Sequence, residues 1–322
     1  MPNSVSPTSA VQMNTPEICV VIPAYRAAQF IGKAIDSALS QTGVALEVIV
    51  VDDHCPDDTH AAVTARYGHV ANLSVIRLDR NGGPSAARNA GFAAARAPWI
   101  AVLDADDAFE PGRLRHLLDV AGAFAADMVA DNVRFLDEAQ AASSPPQIRA
   151  IRSATEIDRH AFVAAARPFN QDMDYGLLKP MFRRQFLEDH AIRYDPAIRH
   201  GEDFKMYFDA MLCGAKFVIT PQPGYVWTLR TSGKSQTTVD YTAQIAMSAS
   251  LAKRSDVVGD GKLVALLHDR RRALGRLETL NGFRHAVQSG KRVQAIRLFL
   301  GHPFIVRQYA GRAIRKVARL IR

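Results

Sequence analysis

Residues 73–107 read LSVIRLDRNGGPSAARNAGFAAARAPWIAVLDADD, and this stretch decides the fold. Leu73–Leu78 predicts a strand that ends in Asp79-Arg80-Asn81-Gly82-Gly83. Pro84 suits the first turn of a helix, which an Ala-rich run carries to about Arg96. Trp99–Leu103 is a second, buried strand ending in Asp104-Ala105-Asp106-Asp107. Strand, helix and strand this close together imply a right-handed βαβ unit with parallel strands.

The same rhythm extends outward. Ile18–Ile22 reads as a buried strand stopped by Pro23, and Phe30–Ser40 as a helix with Phe30, Ile31, Ile35 and Leu39 at helical spacing. Leu46–Val51 is a strand ending at Asp52-Asp53, and Pro56–Tyr67 a helix. The expectation is an α/β fold with a mainly parallel central sheet flanked by helices. Downstream, 141–150 reads as a loop and about Arg183–His190 as a helix. A further helix follows Gly201-Glu202-Asp203, Lys216–Thr220 and Gly224–Leu229 read as two strands, and 241–322 is helical and Arg-rich.

The chain has 322 residues, 48% of them apolar, which is enough for a sizeable core. Three scattered cysteines, Cys19, Cys55 and Cys213, exclude a disulfide scaffold and fit a reducing cytosol. No apolar run reaches membrane-span length. Residues 1–16 read as a disordered tail without signal-peptide features. The formal charge of +8 is uneven: residues 261–322 hold 15 Lys plus Arg against two acids, Asp269 and Glu278. That basic excess predicts an anionic partner for the C-terminal part, lipid head groups or nucleic acid.

Parallel sheets bind ligands at the carboxyl ends of their strands. Those ends carry Ala24-Tyr25-Arg26, Asp52-Asp53, Arg80-Asn81 and Asp104 to Asp107. Asp57 and Asp58 read as caps or turn formers. Asp104-Ala105-Asp106 can aim two carboxylates into one cleft, where Mg²⁺ or Mn²⁺ would complete its shell with substrate phosphates; the alternative is a surface turn. Asp53 can accept from a base N–H or ribose hydroxyl, and Arg88 can approach an anion beside the Gly82-Gly83-Pro84 helix start. Glu202 and Asp203 read on their own as first-turn acids. Neither G-x-G-x-x-G nor G-x-x-x-x-G-K-[ST] occurs, so dinucleotide and P-loop readings fall away. Zinc pairing and a G-x-S-x-G elbow are missing as well.

From Ile18 to about Thr237 the chain resembles the family 2 inverting glycosyltransferases of the GT-A fold. The resemblance is carried by ICVVIPAY, LEVIVVDDHCPDDT, RNGGPSAARNAGFAAARAPWIAVLDADD, GED and YVWTLRTSGKSQT, in that order. It is nearest to bacterial exopolysaccharide enzymes of the succinoglycan type. The resemblance implies a GT-A domain over 17–240, with a nucleotide-sugar half at 17–130 and an acceptor half at 131–240, then a basic helical extension at 241–322. By position it implies Pro23 and Tyr25 at the nucleotide base, Asp53 on the uracil ring and Asp52 supporting the loop. Arg88 falls near the diphosphate or ribose, Asp104 faces ribose or donor sugar, and Asp106 is the metal ligand, with Asp104 an indirect one. Asp203 is the general base with Glu202 beside it, and Arg230, Ser232, Lys234 and Ser235 form a loop over the diphosphate. His54-Cys55 departs from the small residues usual there, a change expected to alter loop shape. The loop also lacks the Q-x-x-R-W of processive synthases, which implies transfer of single sugars.

The function so implied is β-linked transfer of one sugar, glucose, from a UDP-sugar to a polyprenyl-diphosphate-linked oligosaccharide at the inner face of the cytoplasmic membrane. Transfer of another sugar in lipopolysaccharide or capsule assembly is the alternative. Phe304–Arg322 sets Val306, Tyr309, Ala310, Ala313, Val317, Leu320 and Ile321 at helical spacing among Arg307, Arg312, Arg315, Lys316, Arg319 and Arg322. That pattern suits a membrane interface; a helix packed on the domain with a solvated basic face is the plain alternative. Two competing classes are a nucleic-acid-binding protein, which lacks a recognition motif, and a nucleotidyltransferase, which lacks a Gly-rich basic loop after the first strand.

Overall fold

The computed structural model describes residues 15–137, 139, 142–229, 241–307 and 309. The first half alternates as the sequence predicts: β1 (Ile18–Ala24), α1 (Ile31–Leu39), β2 (Leu46–Asp52), α2 (Thr59–Tyr67), β3 (Leu73–Arg77), α3 (Gly83–Ala94) and β4 (Trp99–Val102). After it come β5 (Ala108–Phe109), α4 (Arg113–Phe124), β6 (Met128–Asp137), β7 (Ala142–Ser143), β8 (Thr155–Ile157) and α5 (Arg159–Ala165). Then follow β9 (Met181–Arg183), α6 (Arg184–Asp189), α7 (Glu202–Leu212) and β10 (Phe217–Leu229). Three further helices follow among the described residues: α8 (Tyr241–Leu251), α9 (Gly261–Gln288) and α10 (Arg292–Gly301).

The strands form one sheet of order β3-β2-β1-β4-β9-β6-β10-β5, with β7 on β6 and β8 on β10. The β3-β2-β1-β4 part is wholly parallel, as expected. Beyond β4 the sheet is mixed: β9 runs antiparallel to both β4 and β6, whereas β6 and β10 are parallel. Strands β1, β2 and β4 are buried on both faces, so they read as continuous apolar runs such as ICVVI, whereas β3 at the sheet edge is partly exposed.

Pro23 does not stop β1. Ala24 O accepts from Asp53 N on the β2 side, so Pro23 faces β4, whose pairing with β1 ends at Val21↔Val102. Its missing N–H therefore breaks no ladder bond. The two strands predicted at 216–220 and 224–229 are one, β10, kinked by register shifts around Pro223. The helix predicted from Pro56 starts at Thr59, because Asp57 bonds Thr59 N at 3.3 Å and Thr59 Oγ1 at 2.6 Å in a turn before it.

Helices α8, α9 and α10 fall in the region expected to be helical, of which 308 and 310–322 lie outside the described residues, and α9 is tied to the sheet domain. Arg270 is buried in α9 and donates to Ala166 O at 2.9 Å, Ser248 Oγ at 2.7 Å and Gln244 Oε1 at 3.3 Å, with its guanidinium 3.8 Å from the Phe204 ring centroid. Burial pushes Arg270 down to about 10, opposed by the charge of Asp174. A second, small apolar cluster joins α9 to α10 through Leu280, Phe283, Ala286 and Ala295. Among the described residues no helix is long and apolar enough to cross a membrane.

Helix α3 carries site residues, and Gly91 lets it lie close on β1: a Cβ there would sit 2.3 Å from Val21 Cγ1. Gly91→Ala is expected to cost about 1–3 kcal/mol by overpacking, read as a lowered urea midpoint. An unchanged midpoint would show that α3 is free to move off the sheet.

Candidate active site

The carboxyl edge of β2 shapes the first wall. Asp52 Oδ1 accepts from Cys55 N at 2.8 Å, and its Oδ2 lies 3.5 Å from Arg77 Nε, so Asp52 supports the loop after β2. His54 takes the left-handed conformation, φ 53°, that glycine adopts most easily. Burial, then a hydrogen bond with Asp52, pushes the Cys55 thiol up to about 11. Asp53 is also buried. Its Oδ1 accepts from Gly82 N at 2.7 Å; its Oδ2 accepts from Gly83 N at 2.8 Å and Asn81 Nδ2 at 2.9 Å. The carboxylate expected on a uracil ring thus holds the turn that starts α3, where Gly83 has φ 83°.

One turn further along α3, Arg88 is buried in an ionic knot. Its Nη2 donates to Asp104 Oδ1 at 2.9 Å and its Nη1 to Glu202 Oε1 at 3.1 Å, with Asp203 Oδ1 at 3.5 Å. Lys179 Nζ completes the knot, 3.0 Å from Asp104 Oδ2 and 2.8 Å from Asp203 Oδ2. Burial alone would raise the Asp104 carboxyl, but Lys179 and Arg88 outweigh it and hold the group well below the usual carboxylate range. Burial would lower Lys179, and the charges of Asp104 and Asp203 raise it instead. The Tyr194 ring lies 5.1 Å from the Arg88 guanidinium, and its hydroxyl is raised first by burial and then by Asp203. Arg88, Asp104, Glu202 and Asp203, all singled out in the sequence, therefore meet directly. Lys179 and Tyr194 were missed; the one signal was a single cation inside the apolar run Leu177–Phe182, where a buried charge requires partners.

Asp106 is half-buried two residues past Asp104 and lines a cleft with Thr228 and, from the α1 side, Ala28 and Phe30. Asp107 behind it is buried and accepts from Tyr225 Oη at 2.7 Å and Thr228 N at 2.9 Å. Burial and the like charges of Asp104 and Asp106 raise its carboxyl well above the usual range. This brace to β10 also escaped the sequence reading. Pro23 is half-buried at the end of β1, and Tyr25 exposes 43% of its surface, with the Arg26 guanidinium 5.4 Å from its ring centroid. Arg230, Ser232, Lys234 and Ser235 lie outside the described residues.

Among the described residues no three His, Cys, Asp or Glu side chains form a closed metal site. Both Asp104 oxygens are engaged by cations, and the Asp106 carboxylate lines the cleft. One such carboxylate fits Mg²⁺ or Mn²⁺ that takes the rest of its shell from substrate phosphates and water. The acids Asp104, Asp106, Glu202 and Asp203 outnumber the cations Arg88 and Lys179 here, a balance that suits an added cation.

Comparison with known proteins identifies the family. Residues 19–191 match glycosyl transferase family 2. The succinoglycan biosynthesis protein ExoO of Rhizobium meliloti (strain 1021) is 34% identical over 322 residues, covering 95% of this chain and 88% of that protein. ExoU of the same organism, also a succinoglycan biosynthesis protein, is 36% identical over 259 residues, 79% of this chain and 75% of that one. Among solved structures, S. aureus TarS 1–349 in complex with UDP-GlcNAc superimposes with a TM-score of 0.67 at 19% identity, covering 88% of this chain and 79% of TarS. The chain belongs to glycosyl transferase family 2, it has the GT-A fold, and it is a glycosyltransferase.

If Asp53 is the clamp of the α3 turn, Asp53→Asn keeps one acceptor and leaves a backbone N–H of the Gly82-Gly83 turn unpaired. The expected cost is about 1–3 kcal/mol, with faster amide exchange at Gly82 and Gly83. Wild-type stability and exchange would mean the turn holds without the carboxylate.

Proposed function

We propose that the protein is an inverting glycosyltransferase that moves one glucose from UDP-glucose to a polyprenyl-diphosphate-linked oligosaccharide, forming a β-linkage in an exopolysaccharide of the succinoglycan type. The observation that carries this reading is the bridge of Lys179 and Arg88 between Asp104 and Asp203, which sets a carboxylate at the start of α7 beside the DxD edge. The relatives named for succinoglycan biosynthesis support the pathway. The UDP-GlcNAc in the TarS structure supports a uridine diphosphate donor.

On this reading Tyr25 offers its exposed ring to the uracil, next to Pro23. Asp53 and Asp52 act on the nucleotide through the loops they shape. Asp104, fixed by Arg88 and Lys179, faces the ribose or donor sugar. Asp106 would hold Mg²⁺ or Mn²⁺, which when bound offsets charge on the leaving diphosphate. Asp203 accepts the proton of an acceptor hydroxyl as that oxygen bonds to the anomeric carbon. The bond from that carbon to the diphosphate breaks on the opposite face, and UDP leaves. A single displacement inverts configuration, with a sugar hydroxyl in the place water takes in inverting hydrolysis. Glu202 stays on Arg88 and keeps that guanidinium from swinging away. Arg230, Ser232, Lys234 and Ser235 are proposed to cover the diphosphate. The acceptor's lipid puts the enzyme at the cytoplasmic face of the inner membrane as a peripheral protein, held by the basic C-terminal helices.

Asp203→Asn is expected to keep UDP binding by calorimetry and to lower transfer by about 10²–10⁴-fold; full transfer would remove it as the base. Asp106→Ala should abolish the Mn²⁺ dependence of UDP binding, and an unchanged Mn²⁺ titration would refute the ligand assignment. A turnover screen of UDP-glucose, UDP-galactose, UDP-GlcNAc and GDP-mannose fixes the donor; preference for another sugar would move the reading to lipopolysaccharide or capsule assembly.

A further inference from the structure

Helix α10 is apolar on two sides. One side, Ala295 with Leu298 and Phe299, packs on α9, where the Phe283 and Phe299 ring centroids are 5.9 Å apart. The other side presents Val293, Ile296 and Leu300 to solvent at 83, 59 and 74% exposure. At about 100° per residue these three fall in a sector about 60° wide, and Arg292 and Arg297 stand on either side of it. Both arginines are exposed. No acid occurs anywhere after Glu278, so the patch carries one sign of charge.

We propose that this face of α10 is a docking surface for an anionic lipid bilayer, with Val293, Ile296 and Leu300 entering the head-group boundary and Arg292 and Arg297 on lipid phosphates. Large aliphatic side chains this exposed cost free energy in water and recover it at an interface. Arginines at the edges of the stripe keep their stems on the apolar boundary and their guanidinium groups at the phosphates. A second copy fits less well. Pairing this face with itself brings Arg292 and Arg297 against their own kind, in a segment with no acid to separate them. Nucleic acid phosphates would engage the arginines and leave three aliphatic side chains in water. The biological sense rests on the proposed lipid-borne acceptor, but the surface is defined by the residues of α10 alone; 310–322 lie outside the described residues.

The test is flotation of the full chain with vesicles of phosphatidylglycerol mixed with phosphatidylcholine, against phosphatidylcholine alone. Wild type should bind the anionic vesicles. The double variant Val293→Glu/Leu300→Glu should lose more than about tenfold in affinity. Arg292→Gln and Arg297→Gln should each lose about fivefold at low salt, a difference that narrows as salt rises. Light scattering and circular dichroism on the same samples report mass and folding, and the arginine variants serve if the double variant misfolds. Wild type that ignores anionic vesicles, or variants that bind like wild type, would overturn the proposal. So would a dimer broken by the double variant with flotation unchanged, which would make the occupant a second copy. Donor turnover in solution, measured in parallel, should match wild type in all three variants. Wild type that floats but turns over no UDP-sugar would refute the proposed function and leave the lipid face standing.

Discussion

Two buried cations, Arg88 and Lys179, hold the two halves of this protein in one register. Arg88 comes from α3 and Lys179 from the segment leading into β9, and both grip Asp104 at the end of β4 and Asp203 at the start of α7. None of these charges would tolerate burial alone. Removing one partner from such a knot leaves an uncompensated charge, a loss of about 3–5 kcal/mol. The network therefore ties the carboxyl edge of the sheet to the helix proposed to carry the base, so the proposed catalytic geometry is also a structural requirement. Asp53 acts one step earlier, because the turn it clamps launches α3 and so aims Arg88.

The same economy explains the asymmetry of the sheet. Its first four strands need only apolar runs and βαβ crossovers, and the carboxyl edge follows from their parallel direction. Past β4 the antiparallel insertion of β9 brings Lys179 to that edge. The long strand β10 then returns beside β6 and braces Asp107 through Tyr225 and Thr228. Acids that look interchangeable in Asp104-Ala105-Asp106-Asp107 thus have three different fates: ion-paired, facing the cleft, and buried against a tyrosine.

The C-terminal helices extend this logic away from the chemistry. Arg270 fastens α9 to the end of α5, to α8 and to the Phe204 ring. Behind that anchor α10 has a packed side and an open side. Charge counting located the basic excess in 261–322, and helical spacing singled out Phe304–Arg322, most of which lies outside the described residues. The exposed aliphatic side chains that give the surface a direction lie on α10.

Local signals alone determined the βαβ series, the helices α3 and α7, and the gathering of Asp52, Asp53 and Asp104 to Asp107 at strand ends. Apolar periodicity and Gly/Pro punctuation act over a few residues, so they are legible without a fold. Arg88, Glu202 and Asp203 were legible as candidates for the same reason. Tertiary structure decided their partners: Lys179 between two carboxylates, Asp53 on a glycine turn 30 residues away, and β10 as one bulged strand where two, 216–220 and 224–229, were expected. Each of these depends on which distant groups burial brings within bonding distance, and the composition of a short window carries no record of that.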